Sequence, residues 1–193
     1  MTARVSNRER ILSEGLKAVH AHGFANTSVR DIVAAAGVPQ GSFTNNFESK
    51  EAFGVEILDI YFANGAAVIR ETLRNDALPP LKRLRLWLDR NSEAQTDCAR
   101  SGCLIGNFTA EAANDSEALR TRLNEIYAEI RSAIAHCLKA AVKAGELPRG
   151  FDCETTADFI FSGMQGAVLI AKAERTPVAV ERFKKTLFAK VLR

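Results

Sequence analysis

The sequence is poor in the features that most often announce chemistry. Its four cysteines, Cys98, Cys103, Cys137 and Cys153, have no Cys-x-x-Cys spacing, which argues against a zinc ribbon or a paired redox motif. His20 and His22 stand two apart, about 200° around a helix, so they cannot share a metal ion. There is no Gly-rich phosphate loop and no Gly-x-Ser-x-Gly turn, so no residue takes a catalytic role and neither metal nor cofactor is expected. No apolar run approaches the roughly 18 residues of a membrane span, and no apolar stretch follows the basic N-terminal arm. The expectation is therefore a cytoplasmic chain with reduced thiols and no membrane partner. Strand-like alternation of useful length is also missing, which points to an all-α fold.

What is present is enough for a packed core. Of 193 residues, 47% are hydrophobic, so disorder is not the expectation. The net charge of +3 permits nucleic acid without demanding it.

The stretch Thr27 to Lys50 carries the most information. Val29, Ile32, Val33 and Ala36 fall at i, i+3, i+4 and i+7, along one face of a short helix that Thr27 or Ser28 can cap and Gly37 can stop. Pro39 suits the first turn of a second helix, and Phe43 and Phe47 repeat at i, i+4 to bury its inner side. Two short helices across a tight Gly-Val-Pro turn are the sequence form of a helix-turn-helix, whose second helix lies in the DNA major groove. Opposite the phenylalanines stand Gly41 and Asn45, flanked by Ser42 and Thr44. These are small or hydrogen-bonding groups: Asn can pair with adenine, hydroxyls can meet a base or a phosphate, and Gly41 lets backbone approach closely. With Thr27, Arg30, Gln40 and Lys50 they make up the expected DNA-facing set.

TSVRDIVAAAGV, the Gln-Gly-Ser-Phe helix after it, and Phe-Glu-Ser-Lys-Glu opening a long helix together resemble the N-terminal domain of TetR-type transcriptional repressors, from about Ser6 to Phe53. One departure is plain: the family's usual Tyr-His-Tyr-Phe run reads Thr44-Asn45-Asn46-Phe47 here. The first of those tyrosines commonly touches a phosphate, so Thr44 alters that contact. The resemblance implies that Lys50 approaches the DNA backbone and that the last two helices of each chain form a four-helix dimer interface. Two-fold symmetry then sets paired recognition helices roughly 34–36 Å apart on one palindromic double-stranded operator.

In chain order, Ser6-x-x-Glu9 is a capping-box pattern opening a first helix with Ile11, Leu12, Leu16 and Val19, ending near His22-Gly23; Arg4 and Arg8 lie where they can reach phosphates. The helix from Lys50 is expected to turn Phe53, Ile57, Ile60, Tyr61 and Val68 inward. A helix with Leu81, Leu84, Trp87 and Leu88 follows Pro79-Pro80, and a short one runs through Ala110-Glu111-Ala112. Leu119, Leu123, Ile126, Ile130, Ile134 and Cys137 stripe a long helix begun at Asn114-Asp115-Ser116-Glu117. Two more start near Asp152 and Pro177, the last carrying Val180, Phe183, Leu187 and Val191. The reading is about nine helices, with a three-helix DNA-binding head at 1–48 and a helical body for effector binding and dimerisation at 49–193.

For the body, Ser162-Gly163-x-x-Gly166-Ala167 lets another helix come close, from this chain or a second copy; Gly163, Gly166, Ala167, Ile170, Phe183 and Leu187 are the expected interface residues. Phe62, Trp87, Phe108, Phe159 and Met164 can wall an effector pocket, with Asn107, Glu111 and Gln165 as polar anchors. Cys103 follows Gly102 at a helix start with Arg100 nearby, a setting that favours thiolate, with Cys98 as a possible partner in oxidation. The Gly-Cys-Leu-Ile-Gly-Asn phrase with Ala-Glu-Ala resembles the TetR branch that senses reactive aldehydes, quinones or acrylate-like compounds. An inert core thiol is the other reading of Cys103. The expected function is a dimeric repressor released from DNA by a small molecule. A helical adaptor that has lost DNA affinity is the alternative, and a helical enzyme the third class.

Overall fold

The computed structural model describes residues 5–97, 102–112 and 115–193. The expected Arg4, Cys98, Arg100 and Asn114 lie outside those residues. Among the described residues there are nine α-helices and no strand: α1 Asn7–His22, α2 Val29–Ala36, α3 Gly41–Thr44, α4 Lys50–Glu71, α5 Pro80–Asp97, α6 Leu104–Ala112, α7 Glu117–Lys143, α8 Cys153–Glu174 and α9 Val178–Thr186. One π-helical turn, Leu187–Val191, closes the chain.

Contacts gather these helices into two compact units. The first comprises Met1–Phe62 and Leu104–Asn124, the second Ala63–Cys103 and Glu125–Arg193. Both α4 and α7 cross the boundary in sequence.

The first unit begins with the expected capping box, in which the Ser6 hydroxyl accepts from the Glu9 amide and the Glu9 carboxylate accepts from the Ser6 amide at 2.8 Å. Ser28, rather than Thr27, caps α2 in a second reciprocal pair with Asp31. These hydrogen bonds to the charged form hold both carboxyls below their usual range. Ile11, Leu12 and Val19 of α1, Ile32, Val33 and Ala36 of α2, and Phe53 and Ile57 of α4 form the core. Gly15 is what lets α1 and α4 meet: a Cβ there would stand 2.7 Å from Phe53 Cζ and 2.9 Å from Ile32 Cγ2. Phe43, Phe47 and Phe53 then close an aromatic triangle with centroids 5.1, 5.7 and 5.4 Å apart.

One expectation for α4 is corrected. Ile60 is 43% exposed, because the buried side of the helix turns from Phe53 and Ile57 toward Leu58, Phe62 and Ile69 along its length. The helix also contains an 18-residue window of mean hydropathy 1.4, long and apolar enough by composition to cross a bilayer. A count of uninterrupted apolar residues misses this window because Glu56 and Asp59 break it. Those two carboxylates are paired in the first unit with Arg8 and Arg122, both at 2.5 Å, while Phe53, Ile57 and Leu58 are fully buried there.

In the second unit, Ile126, Ile130, Ile134 and Cys137 of α7 are buried as the stripe predicts, with Leu84, Trp87 and Leu88 of α5 and Ile160 and Met164 of α8. Arg83 is buried too: its Nε donates to the Leu78 carbonyl at 2.6 Å and its Nη1 meets Asp76, fastening the turn before α5. In the π turn the Leu192 amide donates to the Leu187 carbonyl at 3.0 Å, a five-residue step. That extra residue shifts the register, so Leu192 is buried where Val191 is expected.

Gly15→Ala is expected to destabilise the protein by about 1–3 kcal/mol through overpacking against Phe53 and Ile32, less up to about 1 kcal/mol of helix propensity regained. Gly41→Ala, with no atom within 4 Å of its added Cβ, is expected to be neutral or stabilising in the absence of DNA. Urea unfolding of both variants checks the contrast.

Candidate functional site

The helix-turn-helix is made by local chemistry. Gly37, at φ 61°, ends α2 in the left-handed conformation, with its amide and that of Val38 donating to the carbonyls of Ala34 and Val33. Arg10 of α1 donates from Nη2 to the Gly37 carbonyl at 3.1 Å, pinning the turn from outside. The second helix is shorter than its sequence suggests: α3 is a single turn, and Phe47 lies beyond it, joined by a 2.9 Å bond from its amide to the Phe43 carbonyl. One turn has no helical stability of its own, so Phe43, 2% exposed against Phe47 and Phe53, holds it in place.

Of the eight residues expected to face DNA, Arg30, Gln40, Gly41, Thr44 and Asn45 are exposed. Gly41 has open space around it, with no atom within 4 Å of a Cβ. The exposed Thr44 also donates its hydroxyl to the Gly41 carbonyl at 3.2 Å, and the other three are engaged more deeply within the protein. Thr27 is 2% exposed, and its hydroxyl donates to the Gly23 carbonyl at 2.6 Å. Ser42 is buried beside Phe43, and its hydroxyl accepts from Asn7 Nδ2 at 3.3 Å. Lys50 donates from Nζ to the Phe24 carbonyl at 2.6 Å and lies over the Phe24 ring at 4.4 Å. Burial lowers its pKa, against the opposing pull of Glu51 and Glu111. Arg8, aimed at phosphates in the sequence reading, pairs with Glu56 and sits 5.4 Å over the Phe47 ring.

The residues expected to line an effector pocket fall in both units. Phe62, Asn107, Phe108 and Glu111 belong to the first, and Trp87, Cys103, Phe159 and Gln165 to the second. Phe108 is 1% exposed and packs on Phe24 at 4.7 Å. Glu111 accepts from the Ala25 amide at 3.2 Å. Within the second unit, Gln165 Nε2 donates toward Cys103 Sγ at 3.9 Å, bringing two predicted residues together. Cys103 does stand immediately before α6, after Gly102 at φ 69°, and the aliphatic stem of Lys172 packs on that glycine. Trp87 and Met164 are buried, whereas Phe159 is 51% exposed.

The other described thiols are held toward the neutral form. Burial pushes Cys137 up to about 11, and its thiol donates to the Pro80 carbonyl. Desolvation also raises Cys153.

On α8 the small-residue cluster divides. Gly163 is filled from within the chain, since a Cβ there would stand 2.5 Å from Phe183 Cε2. Ala167 and Leu187 are likewise buried in the second unit. Gly166 opens to space, and around it Phe159, Leu169 and Ile170 are 51, 68 and 51% exposed. Leu169, the most exposed of these, was missed by sequence reasoning, although its i+3 spacing from Gly166 places it on the same face.

Two family descriptions match the chain: bacterial regulatory proteins of the TetR family over residues 11–57, and the tetracycline repressor-like C-terminal domain over 80–187. The HTH-type transcriptional repressor DhaR of Mycobacterium sp. strain GP1 is 34% identical, the match covering 98% of this chain and 94% of that protein. A crystal structure of a TetR regulatory protein from Rhodobacter sphaeroides is similar at TM-score 0.86 and 29% identity, covering 93% of this chain and 96% of that one. The reduced form of E. coli NemR is similar at TM-score 0.80 and 25% identity, covering 94% of each chain. An N-terminal helix-turn-helix with an exposed polar face, a helical C-terminal body and relatives that are transcriptional repressors lead to one assignment: the chain belongs to the TetR family of DNA-binding transcriptional regulators.

Proposed function

We propose that the protein is a homodimeric repressor that binds a palindromic operator through α3 and is released by a small molecule bound in its body. The observation that carries the reading is the outer side of α3, where Gly41, Thr44 and Asn45 are exposed with no apolar side chain among them, on a turn seated by Phe43. An Asn amide there can offer the donor and acceptor pair that adenine's major-groove edge requires. Arg30 and Gln40 supply flanking polar groups. In this reading residues 1–48 act as the DNA-binding domain, 49–193 as the effector-binding and dimerisation body, and the protein works in the cytoplasm where its operator is.

Dimerisation is supported by the open Gly166 with its exposed apolar neighbours. Phe159, Leu169 and Ile170 on one helix make a face that a second copy can cover, with Gly166 allowing close approach. Two copies on one site couple two weak half-site interactions.

For the effector, the reading is an electrophile or a small unsaturated acid received beside Cys103. Support comes from the Gly102-Cys103-Leu104 phrase, from Gln165 and the Lys172 stem near it, and from the similarity to NemR. With an unsaturated aldehyde, the Cys103 sulfur adds to the β-carbon and the thiol proton ends on the α-carbon. No other reactant is needed.

Mobility shift with DNA from upstream of the protein's own coding region tests the whole reading. Binding should weaken steeply as salt rises, because neutralised phosphates release counterions; no binding at low salt would favour the adaptor alternative. Asn45→Ala is expected to cost about 1–3 kcal/mol at one base and relax preference there, measured on a panel of mutated sites.

Gly166→Leu is expected to leave helicity unchanged, since the site is open within one chain, and to shift the protein toward monomer in sedimentation. A Gly166→Leu protein that stays dimeric would move the interface elsewhere. Cys103→Ser is expected to abolish release from DNA by an unsaturated aldehyde, and normal release by that variant would indicate reversible binding instead.

A further inference from the structure

The segment Gly23–Ala25, between α1 and α2, is held by two helices in the first unit. One of them, α6, presents two side chains a turn apart: Phe108 packs on Phe24 at 4.7 Å, and the Glu111 carboxylate accepts from the Ala25 amide at 3.2 Å. From a second helix, Lys50 at the start of α4 donates to the Phe24 carbonyl at 2.6 Å, near enough to Glu111 to feel its charge. Gly23 adopts φ 89°, and a Cβ there would sit 2.8 Å from both Glu111 oxygens. The carboxylate therefore rides directly on backbone, with no side chain between to absorb a shift.

The segment is also stiff within itself. The Thr27 hydroxyl, almost fully buried, donates to the Gly23 carbonyl at 2.6 Å, and the next residue, Ser28, caps α2. A displacement of Glu111 has two bonded steps to cross before it reaches the start of the helix-turn-helix. The sequence reading placed Glu111 as a polar anchor for a small molecule; here its carboxylate is committed to the Ala25 amide.

We propose that Glu111 is a positioning residue that couples α6 to the DNA-binding helices: its hydrogen bond to the Ala25 amide makes the placement of α6 and the placement of α2 one variable. This rests on the reading that the head binds an operator. Coupling free energy is reciprocal, so whatever α6 does to operator binding, operator binding does to α6. That reciprocity permits a test without any effector.

The experiment is amide hydrogen exchange of the full-length protein, alone and bound to the upstream DNA fragment selected by mobility shift, read over residues 104–112. In the wild type, DNA is expected to slow exchange in α6 at least several-fold. Glu111→Ala is expected to bind the DNA yet lose that difference. Glu111→Asp, one methylene too short to reach Ala25, should lose it as well, and serves where the alanine variant fails to fold. Glu111→Gln keeps a carbonyl acceptor and should retain it. A wild-type difference persisting in Glu111→Ala or Glu111→Asp would overturn the assignment, and so would its loss in Glu111→Gln. A wild type that binds DNA with no change in α6 also overturns it, whereas a wild type that binds no such DNA overturns the operator reading instead.

Discussion

The contact between Gly15 of α1 and the ring of Phe53 of α4 is the constraint on which the first unit rests. Because glycine has no side chain, the ring can lie against the backbone of α1 and still reach Phe43 and Phe47. Those two rings are what α3 is seated on. A single helical turn fixes too few residues to hold itself, so its geometry is borrowed from this aromatic cluster. The polar outer side of α3 faces solvent because its inner side has been claimed by phenylalanine.

The same economy governs the charges of the head. Two cations that sequence reasoning aimed at phosphate have partners within the protein, Arg8 with Glu56 and Lys50 with the Phe24 carbonyl, and Arg10 is likewise held by the Gly37 carbonyl. Each fastens a junction between helices. Arg30 remains exposed at the start of α2. These cations therefore join elements of the first unit before they can form a basic surface, in keeping with a chain whose total charge is only +3.

Much of the fold was legible because periodicity and caps act locally. The Ser6 capping box, the cap before α2, the stop at Gly37 and the buried stripe of α7 all follow from residues within a few positions of one another. What escaped was set by distant partners. Ile60 fits the inward spacing of α4, but the helix changes the side it buries along its length. Leu192 displaced Val191 because a π turn adds a residue that no pattern announces. Among candidate site residues, Thr27 and Ser42 have hydroxyls suited to DNA, yet Gly23 and Asn7 engage them first. Glu111 looked like a ligand anchor because nothing near it in sequence reveals the Ala25 amide, 86 positions away.

The hollow at Gly163 bears on a different property of α8. Phe183 occupies it from within the same chain, so the spine beneath Leu169 and Ile170 is already locked by its neighbour on α9. Ordering flexible side chains and loops is a large part of what opposes association. With the backbone braced from within, mainly the rotamers of the exposed Leu169 and Ile170 are left to be ordered by any surface that covers them.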